Sequence, residues 1–210
     1  MDLHVHTSHS YDGRCSLRLL SKLLKKKGLN GFAFTDHDNL EALKELRLLS
    51  LPKDFLIIPG IEVTSRHGHI LGLGVREAVP PHLEAEETVE LIREKGGIAV
   101  AAHPFWLNGR PGAVFHARFD AVEVFNSRSY FLSNPLARRY AERKGLPMTG
   151  GSDGHTEEEV GLAYTEVGEV KGVEGVLEEI ERGRTLVGGR NFPFLKYLAG
   201  AVKKVVGGSG

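Results

Sequence analysis

The sequence lacks an excess of charge of either sign, a long apolar run and more than one cysteine. Its 210 residues contain 27 lysines and arginines against 27 aspartates and glutamates, which argues against a general affinity for nucleic acid or acidic membranes. No window approaches 18 consecutive apolar residues, so no membrane-spanning helix is predicted. The single cysteine, Cys15, excludes an intramolecular disulfide framework and fits a reducing compartment. With His4 too close to Met1 for a cleavable signal peptide, we expect a soluble cytoplasmic chain.

Nucleotide-cofactor motifs are also missing. The glycine-rich segments "KGLNG" and "GGSDG" fit neither a P-loop nor a dinucleotide-binding fingerprint in spacing or context. The basic run "KLLKKKG" is typical of the solvated end of a helix. The terminal "GGSG", residues 207–210, is expected to be a flexible tail and carries no part of the fold prediction.

What is present is a regular alternation of short apolar runs and amphipathic patterns, which predicts an α/β fold with a largely parallel sheet. Ser16 is expected to cap a helix that stops at Gly28, and Asn39 a second helix over "LEALKELRLLS". About seven strand and helix steps favour a barrel, with a doubly wound sheet as the open alternative. We predict one domain over residues 1–206, with an apolar helix at about 194–206.

Further elements follow the same alternation. The predicted strands are Asp2–His6, "GFAFTDHD", "DFLIIPG", two strands around a tight turn in "IEVTSRHGHILGLGV", "GIAVAAH", "AVEVFN", "LPMTGGSD" and "AYTEV". The remaining predicted helices are near Glu86–Lys95, Pro135–Lys144 and Val173–Arg182.

Histidines and carboxylates recur at or beside the ends of these apolar strands. The first thirteen residues, "MDLHVHTSHSYDG", already contain His4, His6, His9 and Asp12. Residues i and i+2 of a strand face the same side, so His4 and His6 can grip one metal ion together. In parallel barrels the carboxyl ends of the strands converge on one face, which is where a metal cluster would form.

Six imidazoles and three carboxylates make up the candidate ligand set. The nine residues are His4, His6, Asp12, His37, Glu62, His69, His103, Asp153 and His155. Nine ligands exceed what one tetrahedral ion can use, so more than one ion is predicted, with Glu62 or Asp153 as a bridge. A set this rich in imidazole suits Zn, Mn, Fe, Co or Ni better than Ca or Mg.

These residues occur in four ordered motifs, "HVHTSHSYDG", "FTDHD", an "HP" after an apolar strand, and "GSDGH". Together they closely resemble the motifs of the PHP (polymerase and histidinol phosphatase) family of metal-dependent phosphoesterases, over most of the chain. The sequence departs from some relatives at Asp12, where they carry histidine.

The resemblance implies a distorted (β/α)7 barrel, similar to a TIM barrel, with three divalent ions at the carboxyl ends of the strands. It further implies one ion among His4, His6, Glu62 and Asp153, a second among Asp12, His37 and His155, and a third among Glu62, His69 and His103. Zn, Mn or Fe are the expected ions, and Glu62 would then be the bridge.

Three arginines lie next to these motifs and are candidates for substrate phosphate. They are Arg14, Arg128 and Arg190, and a guanidinium fork matches phosphate oxygens, although a surface salt bridge is the competing interpretation. His9 or His155 is a candidate proton donor to the leaving group, with an ordinary loop position the alternative for His9.

The sequence predicts a phosphoesterase that uses a metal-bound hydroxide. Three divalent ions bring six positive charges and three ligand carboxylates remove half of them, which favours an anionic substrate such as phosphate. We expect a small phosphorylated metabolite or nucleotide, with a short oligonucleotide end as an option. A non-catalytic module of the same fold and a metal-dependent hydrolase of C–N bonds are the competing functions, although no catalytic lysine is recognisable on a mid-chain strand. Oligomeric state is not predicted.

Overall fold

A computed structural model of the chain describes residues 1–50, 52, 54–106 and 112–198. Its helices are α1 (Leu17–Lys26), α2 (Ala42–Leu46), α3 (Ala85–Glu94), α4 (Ser133–Lys144) and α5 (Gly172–Glu181). Its strands are β1 (Asp2–Val5), β2 (Gly31–Phe34), β3 (Asp36–His37), β4 (Leu56–Ile58), β5 (Gly60–Ser65), β6 (Gly68–Leu73), β7 (Ile98–Ala101), β8 (Ala121–Asn126), β9 (Met148–Gly151), β10 (Ala163–Val167) and β11 (Thr185–Gly189).

The strands form three sheets of mixed direction. One sheet has the order β1-β2-β4, the largest has the order β3-β5-β6-β7-β8-β9, and β10 pairs with β11. Five strand pairs are parallel, whereas β6 runs antiparallel to both β5 and β7, and β10 is antiparallel to β11. The two strands expected around a tight turn at His67 and Gly68 are β5 and β6, which form an antiparallel hairpin, so the largest sheet is mixed and not largely parallel.

The expected (β/α)7 barrel is not confirmed, because the ladders of the described strands do not close into one ring. The chain passes from the first sheet to the second where the strand breaks at Thr35, between β2 and β3. Strand β1 of the first sheet is joined to the segment just after β9 of the second sheet by an isolated parallel bridge between Val5 and Gly154. The result is an α/β fold whose sheets share one buried interior.

Helix α1 forms as its sequence predicts. The Ser16 hydroxyl accepts a hydrogen bond from the amide of Leu19 at 3.3 Å, which caps the helix. Leucines 17, 20 and 24 are fully buried against β2, and lysines 25 and 26 occupy the last turn. This spacing packs α1 against β2, the strand that leads to His37.

Helix α2 is shorter than predicted and Asn39 does not cap it. It covers only Ala42–Leu46, and the residue at its cap position, Glu41, makes no capping hydrogen bond through its side chain. The Asn39 side chain instead accepts the amide of Glu41 at 3.0 Å and donates to the carbonyl of His37 at 2.9 Å. Asn39 thus closes a local turn after β3, which competes with helix formation.

The C-terminal part of the predicted domain is described only in part. Residues 194–198 are helical, which agrees with the start of the expected helix at 194–206. Residues 199–206 and the expected flexible tail at 207–210 lie outside the described residues. In the part of the chain that is described, no helix combines the length and apolarity needed to cross a membrane.

Candidate metal centre

The end of β1 delivers two histidines to the interior. His4 and His6 are fully buried, and their Nε2 atoms lie 3.3 Å apart. The strand is held in place at its own end, because the amide of Asp153 donates to the carbonyl of His4 and the amide of His6 donates to the carbonyl of Gly154. These two hydrogen bonds bring the "HVH" and "GSDG" motifs together as the sequence analysis expected.

Two carboxylates complete a four-residue group around this pair. Glu62 Oε2 lies 3.3 Å from His4 Nε2 and 3.1 Å from His6 Nε2. Asp153 Oδ1 lies 3.7 and 3.3 Å from the same two nitrogens. Four ligands about 2.0–2.1 Å from a tetrahedral zinc ion are about 3.3–3.4 Å from one another. The four atoms therefore already stand near the corners of a coordination tetrahedron.

Glu62 also faces a second group through its other oxygen. Its Oε1 lies 2.9 Å from His69 Nδ1 and 3.0 Å from His103 Nε2. The β5–β6 hairpin explains why, since Thr64 pairs with His69 and so places His69 on the face that Glu62 shares with Thr64. Because β6 is antiparallel, His69 lies near the start of its strand, not at the carboxyl end where the ligands were expected.

A further group forms between the first loop and the "GSDGH" segment. His155 Nε2 lies 3.1 Å from Asp12 Oδ2, and His37 Nε2 lies 3.8 Å from Asp12 Oδ1. The His6 ring stacks at 4.0 Å on that of His155 and lies 4.4 Å from that of His37. His37 also faces Glu62 Oε2 through its Nδ1 at 3.2 Å.

The groups that could hold an ion overlap more than the resemblance implies. Three sets of ligand atoms lie within 4.8 Å of one another: His4 with His6, Glu62 and Asp153; His6 with Asp12, His37 and His155; and His37 with Glu62 and His69. His6, His37 and Glu62 each belong to two sets. His103 belongs to none of these sets, but its Nε2 lies 3.0 Å from Glu62 Oε1 and its ring centroid lies 5.4 Å from that of His69.

The donor chemistry fits divalent metal. Glu62 Oε2 is buried and accepts no hydrogen bond, although three histidine ring nitrogens lie 3.1–3.3 Å from it. A buried carboxylate oxygen left without a hydrogen bond is costly. An ion bound between this oxygen and the imidazoles would remove that cost.

Both central carboxylates carry negative charge at neutral pH. Burial alone would raise the pKa of Glu62, but the histidines around it, His69 and His4 foremost, hold that pKa well below its usual range. Burial likewise opposes ionisation of Asp153, whose pKa is lowered well below its usual range by His4 and Arg128. Anionic carboxylates among buried imidazoles are the form that a metal ion requires.

Two buried, hydrogen-bonded carboxylates outside the predicted ligand set lie beside the cluster. Asp36 accepts the amide and hydroxyl of Thr7 at 2.6 and 2.7 Å, which ties the first loop to β3. Glu123 is buried in β8 and its Oε1 lies 2.9 Å from His4 Nδ1. The available signal for Glu123 was a carboxylate inside the apolar strand "AVEVFN", where an unpaired charge would be costly.

Backbone strain collects at the same place. Three of the five non-glycine residues with positive φ in the described ranges, Asp38, His103 and Asp153, belong to segments of the cluster, and the other two are His82 and Phe131. Strained residues of this kind persist where the surrounding structure fixes them, and they cluster at functional sites. His103 and Asp153 adopt positive φ just after the ends of β7 and β9, where the chain enters the cluster.

The ligands surround a small cavity, here called the metal cavity. Its volume is about 120 Å³, and its lining is Tyr11, Asp12, His37, Glu62, His69, His103, Trp106, Arg128, Asp153 and His155. Seven of the nine candidate ligands line this cavity, and the other two, His4 and His6, are fully buried.

Only one of the three candidate arginines lines the metal cavity. The side chain of Arg128 is 15% exposed, its Nη1 lies 3.7 Å from Asp153 Oδ1, and it contacts the His155 ring. Arg14 and Arg190 are exposed and are absent from the lining. Their contact with substrate stays a prediction.

The two candidate proton donors occupy different surroundings. His155 is buried within the cluster, whereas His9 Nε2 faces Glu45 Oε2 of α2 at 3.4 Å, and its side chain is 34% exposed. His9 does not line the metal cavity. The structure thus brings all nine predicted ligands together and leaves His9 at the edge of the first loop.

Comparison with known proteins finds matches over most of the chain. A family model described as the PHP domain matches residues 2–155, and one described as PHP-associated matches residues 131–185. An uncharacterized protein of Methanocaldococcus jannaschii is 34% identical over 183 residues, which cover 81% of this chain and 71% of the relative. A probable histidinol-phosphatase of Thermotoga maritima is 24% identical over 247 aligned positions, covering 98% of this chain and 97% of the relative.

A solved structure gives the same result for the fold. A two-domain protein from Bacteroides vulgatus, which contains a predicted PHP-like metal-dependent phosphoesterase, superposes with a TM-score of 0.68 at 19% identity. The match covers 90% of this chain and 64% of that protein, so this chain spans less than two thirds of its length.

Proposed function

As a member of the PHP domain family the chain is a metal-dependent phosphoesterase, and we propose that its substrate is the phosphate ester of a small metabolite or a nucleotide. We also propose that residues 1–206 form a single PHP domain. A short oligonucleotide end is the larger substrate that the same chemistry accepts.

The buried Glu62 Oε2 carries this proposal. This oxygen has three imidazole nitrogens within 3.3 Å and no hydrogen bond. Two of those nitrogens, with Asp153 Oδ1, complete a set whose separations match the edges of a tetrahedral metal site. Hydrogen bonding within the protein does not account for that arrangement as well as a metal ion does.

We propose three ions, held by the nine residues of the ligand set. Glu62 would bridge, with Oε2 toward His4, His6 and His37 and Oε1 toward His69 and His103. Bound divalent ions supply Lewis-acid polarisation of a phosphoryl oxygen and generate a nucleophile from water at neutral pH. Zn, Mn and Fe fit the imidazole-rich donors.

Arg128 is proposed to hold the substrate phosphate at the wall of the metal cavity. Its guanidinium is mostly buried and pairs only loosely, at 3.7–3.8 Å, with Asp153 and Glu159. A fork held this way can turn two donors toward phosphate. Arg128→Lys should lower kcat/KM about 10-fold or more because a point charge replaces the fork, with Arg14→Lys and Arg190→Lys as exposed controls. Equal losses at all three positions would mean that the effect does not depend on the place of Arg128 at the cavity wall.

The proton donor to the leaving group is proposed to be His9 or His155, and substrate choice separates them. An alkyl leaving group needs a proton, whereas p-nitrophenolate does not. His9→Asn should lower turnover of an alkyl phosphate and leave p-nitrophenyl phosphate unchanged if His9 donates. If His9→Asn hydrolyses both substrates as fast as the parent protein does, the proton comes from His155 or from water.

Metal content measured together with turnover tests the function. The purified chain should contain two to three equivalents of metal and hydrolyse an aryl phosphate in a chelator-sensitive manner with added Mn or Zn. Asp153→Asn should lose at least about 100-fold in kcat/KM, whereas the exposed control Asp54→Asn should not. Metal without hydrolysis of any phosphate ester would favour C–N bond hydrolysis, and a folded chain without metal would favour a non-catalytic module.

A further inference from the structure

Two clefts adjoin the metal cavity, and the only tryptophan of the chain lines both. One cleft, of about 430 Å³, lies beside His69, His82 and His103. The other, of about 240 Å³, is formed almost wholly by aromatic rings and is here called the aromatic cleft. Its lining is Trp106, Tyr130, Phe131, Ser133, Phe194, Tyr197 and Leu198. Trp106 lines both clefts and the metal cavity itself, so each cleft opens beside the ligands.

The rings that line the aromatic cleft pack against one another edge to face or tilted, not in parallel stacks. The Tyr130 and Phe194 centroids are 4.9 Å apart at 68°, and Phe131 meets Phe194 at 5.7 Å and 71°. Tyr197 lies 5.3 Å from Tyr130 at 54°. A planar ligand can stack on aromatic rings of this kind.

The protein keeps a large apolar ring at the rim of this cleft at a conformational cost. Phe131 is 76% exposed and has a φ of 57°. That backbone conformation is unfavourable for a bulky side chain, and folding alone gives no reason to hold a phenyl ring in water. A ligand that covers Phe131 supplies the reason.

Two buried polar atoms that make no hydrogen bond lie where the aromatic cleft meets the metal cavity. The Arg128 guanidinium carbon lies 5.4 Å from the Tyr197 ring centroid, over its face. Arg128 Nε and the Tyr130 hydroxyl are buried and make no hydrogen bond among the described residues, although Nε lies 3.8 Å from Glu159 Oε1. The cleft therefore combines aromatic walls, a cation at its inner end and a hydroxyl without a hydrogen bond.

We propose that the aromatic cleft binds the planar base of a nucleoside phosphate whose phosphate occupies the metal cavity. This rests on the proposed function and narrows its substrate class. A neutral nucleobase can stack on the aromatic faces and hydrogen-bond to the Tyr130 hydroxyl. A phosphate ester that carries an ammonium group is disfavoured, because its positive charge would lie near Arg128.

Kinetics with matched substrates test the cleft. AMP should have a higher kcat/KM than ribose 5-phosphate, which differs only by the base. Phe131→Ala and Phe194→Ala should each lower kcat/KM for AMP about 5-fold or more and leave ribose 5-phosphate unchanged, because each loses base stacking. Both side chains are exposed, by 76% and 40%, so the fold should tolerate their loss. Leu186→Ala, at an equally exposed apolar site on β11, is the control.

Binding without turnover distinguishes a failure of the cleft from a failure of the function. In the full chain treated with EDTA, Trp106 fluorescence should change on addition of AMP and much less with ribose 5-phosphate, and the change should weaken in Phe131→Ala. If no phosphate ester is hydrolysed with any metal but AMP binds in this way, the proposed function fails and the cleft assignment stands. Equal responses to AMP and ribose 5-phosphate, or preference for histidinol phosphate, would overturn the assignment.

Discussion

Glu123 Oε1 lies 2.9 Å from His4 Nδ1, and the two side chains are fully buried together. The other Glu123 oxygen accepts the amide of His103 at 2.8 Å and the side-chain amide of Asn126 at 3.1 Å. A carboxylate at this distance favours a proton on His4 Nδ1, so a metal bound beside Glu62 and Asp153 would take the Nε2 lone pair. A residue outside the ligand set thereby fixes the orientation of a ligand.

Replacing Glu123 should weaken metal binding without removing a ligand. Glu123→Gln replaces the carboxylate with a neutral amide that accepts from His4 more weakly and can also donate, so the His4 tautomer is held less firmly, and metal affinity should fall about 10–100-fold. The measurement is metal retained after dialysis against graded chelator. Glu86→Gln, at an exposed position of α3, is the control, and circular dichroism of both variants checks the fold. Unchanged affinity in a folded Glu123→Gln variant would contradict the role assigned to this carboxylate.

Removing metal should lower the melting temperature. Glu62, Asp153 and the imidazoles around them are buried with one orphaned carboxylate oxygen, so an ion that binds only the folded chain stabilises it. At a free metal concentration 100 times Kd, metal binding adds about 2.7 kcal/mol to the free energy of unfolding. For a domain of this size, that raises the melting temperature by about 5–10 °C. Melting curves with EDTA, and with EDTA followed by excess Mn, provide the test. A chelator-independent melting temperature would mean that the fold does not depend on bound metal.

The sequence was most informative where chemistry and periodicity coincide. His4 and His6 at alternate strand positions, the Ser16 cap and β10 (Ala163–Val167) all follow from local patterns that tertiary packing preserves. The direction of β6 was also implicit in the two strands expected around His67, but the general alternation of strands and helices suggested a more parallel sheet. Local signals therefore predicted the ligands better than the sheet order.

Features that depend on packing could not be predicted in the same way. The role of Glu123 needs β8 beside β7 and the His4 ring in front of it, which one sequence does not reveal. The aromatic cleft joins Trp106 to residues 130–133 and 194–198, and an aromatic residue in each segment is equally consistent with an ordinary core. Arg128 could be separated from Arg14 and Arg190 only by its burial at the cavity wall.

Cys15 should react slowly with thiol reagents in the folded chain. It is 1% exposed, just before α1, and burial raises the pKa of its thiol. At pH 8 its thiolate fraction is therefore below that of free cysteine, and the reagent cannot reach it without local opening. Reaction with dithiobis(2-nitrobenzoate) should be at least about 100-fold slower than in denaturant and should rise with pH. Reaction of the native chain at the rate of free cysteine would contradict this burial.

Gly151 sets the distance between the first and last strands of the site. A Cβ at position 151 would lie 2.4 Å from His4 Cβ and 2.7 Å from the His4 amide nitrogen, closer than side-chain atoms approach backbone. Gly151→Ala should therefore push β9 from β1 and separate Asp153 from His4. Overpacking of this kind costs about 1–3 kcal/mol.

The loss should appear in metal binding as well as in stability, because the same displacement opens the ligand tetrahedron. Gly168→Ala is the matched control, since a Cβ there meets nothing closer than 3.9 Å. Chemical denaturation and metal titration of the two variants separate the outcomes. If Gly151→Ala loses stability but keeps the affinity of the parent, the tetrahedron tolerates movement of β9, and the close approach of the strands serves the fold alone. A joint loss would show that the glycine is needed to bring Asp153 within ligand distance of His4.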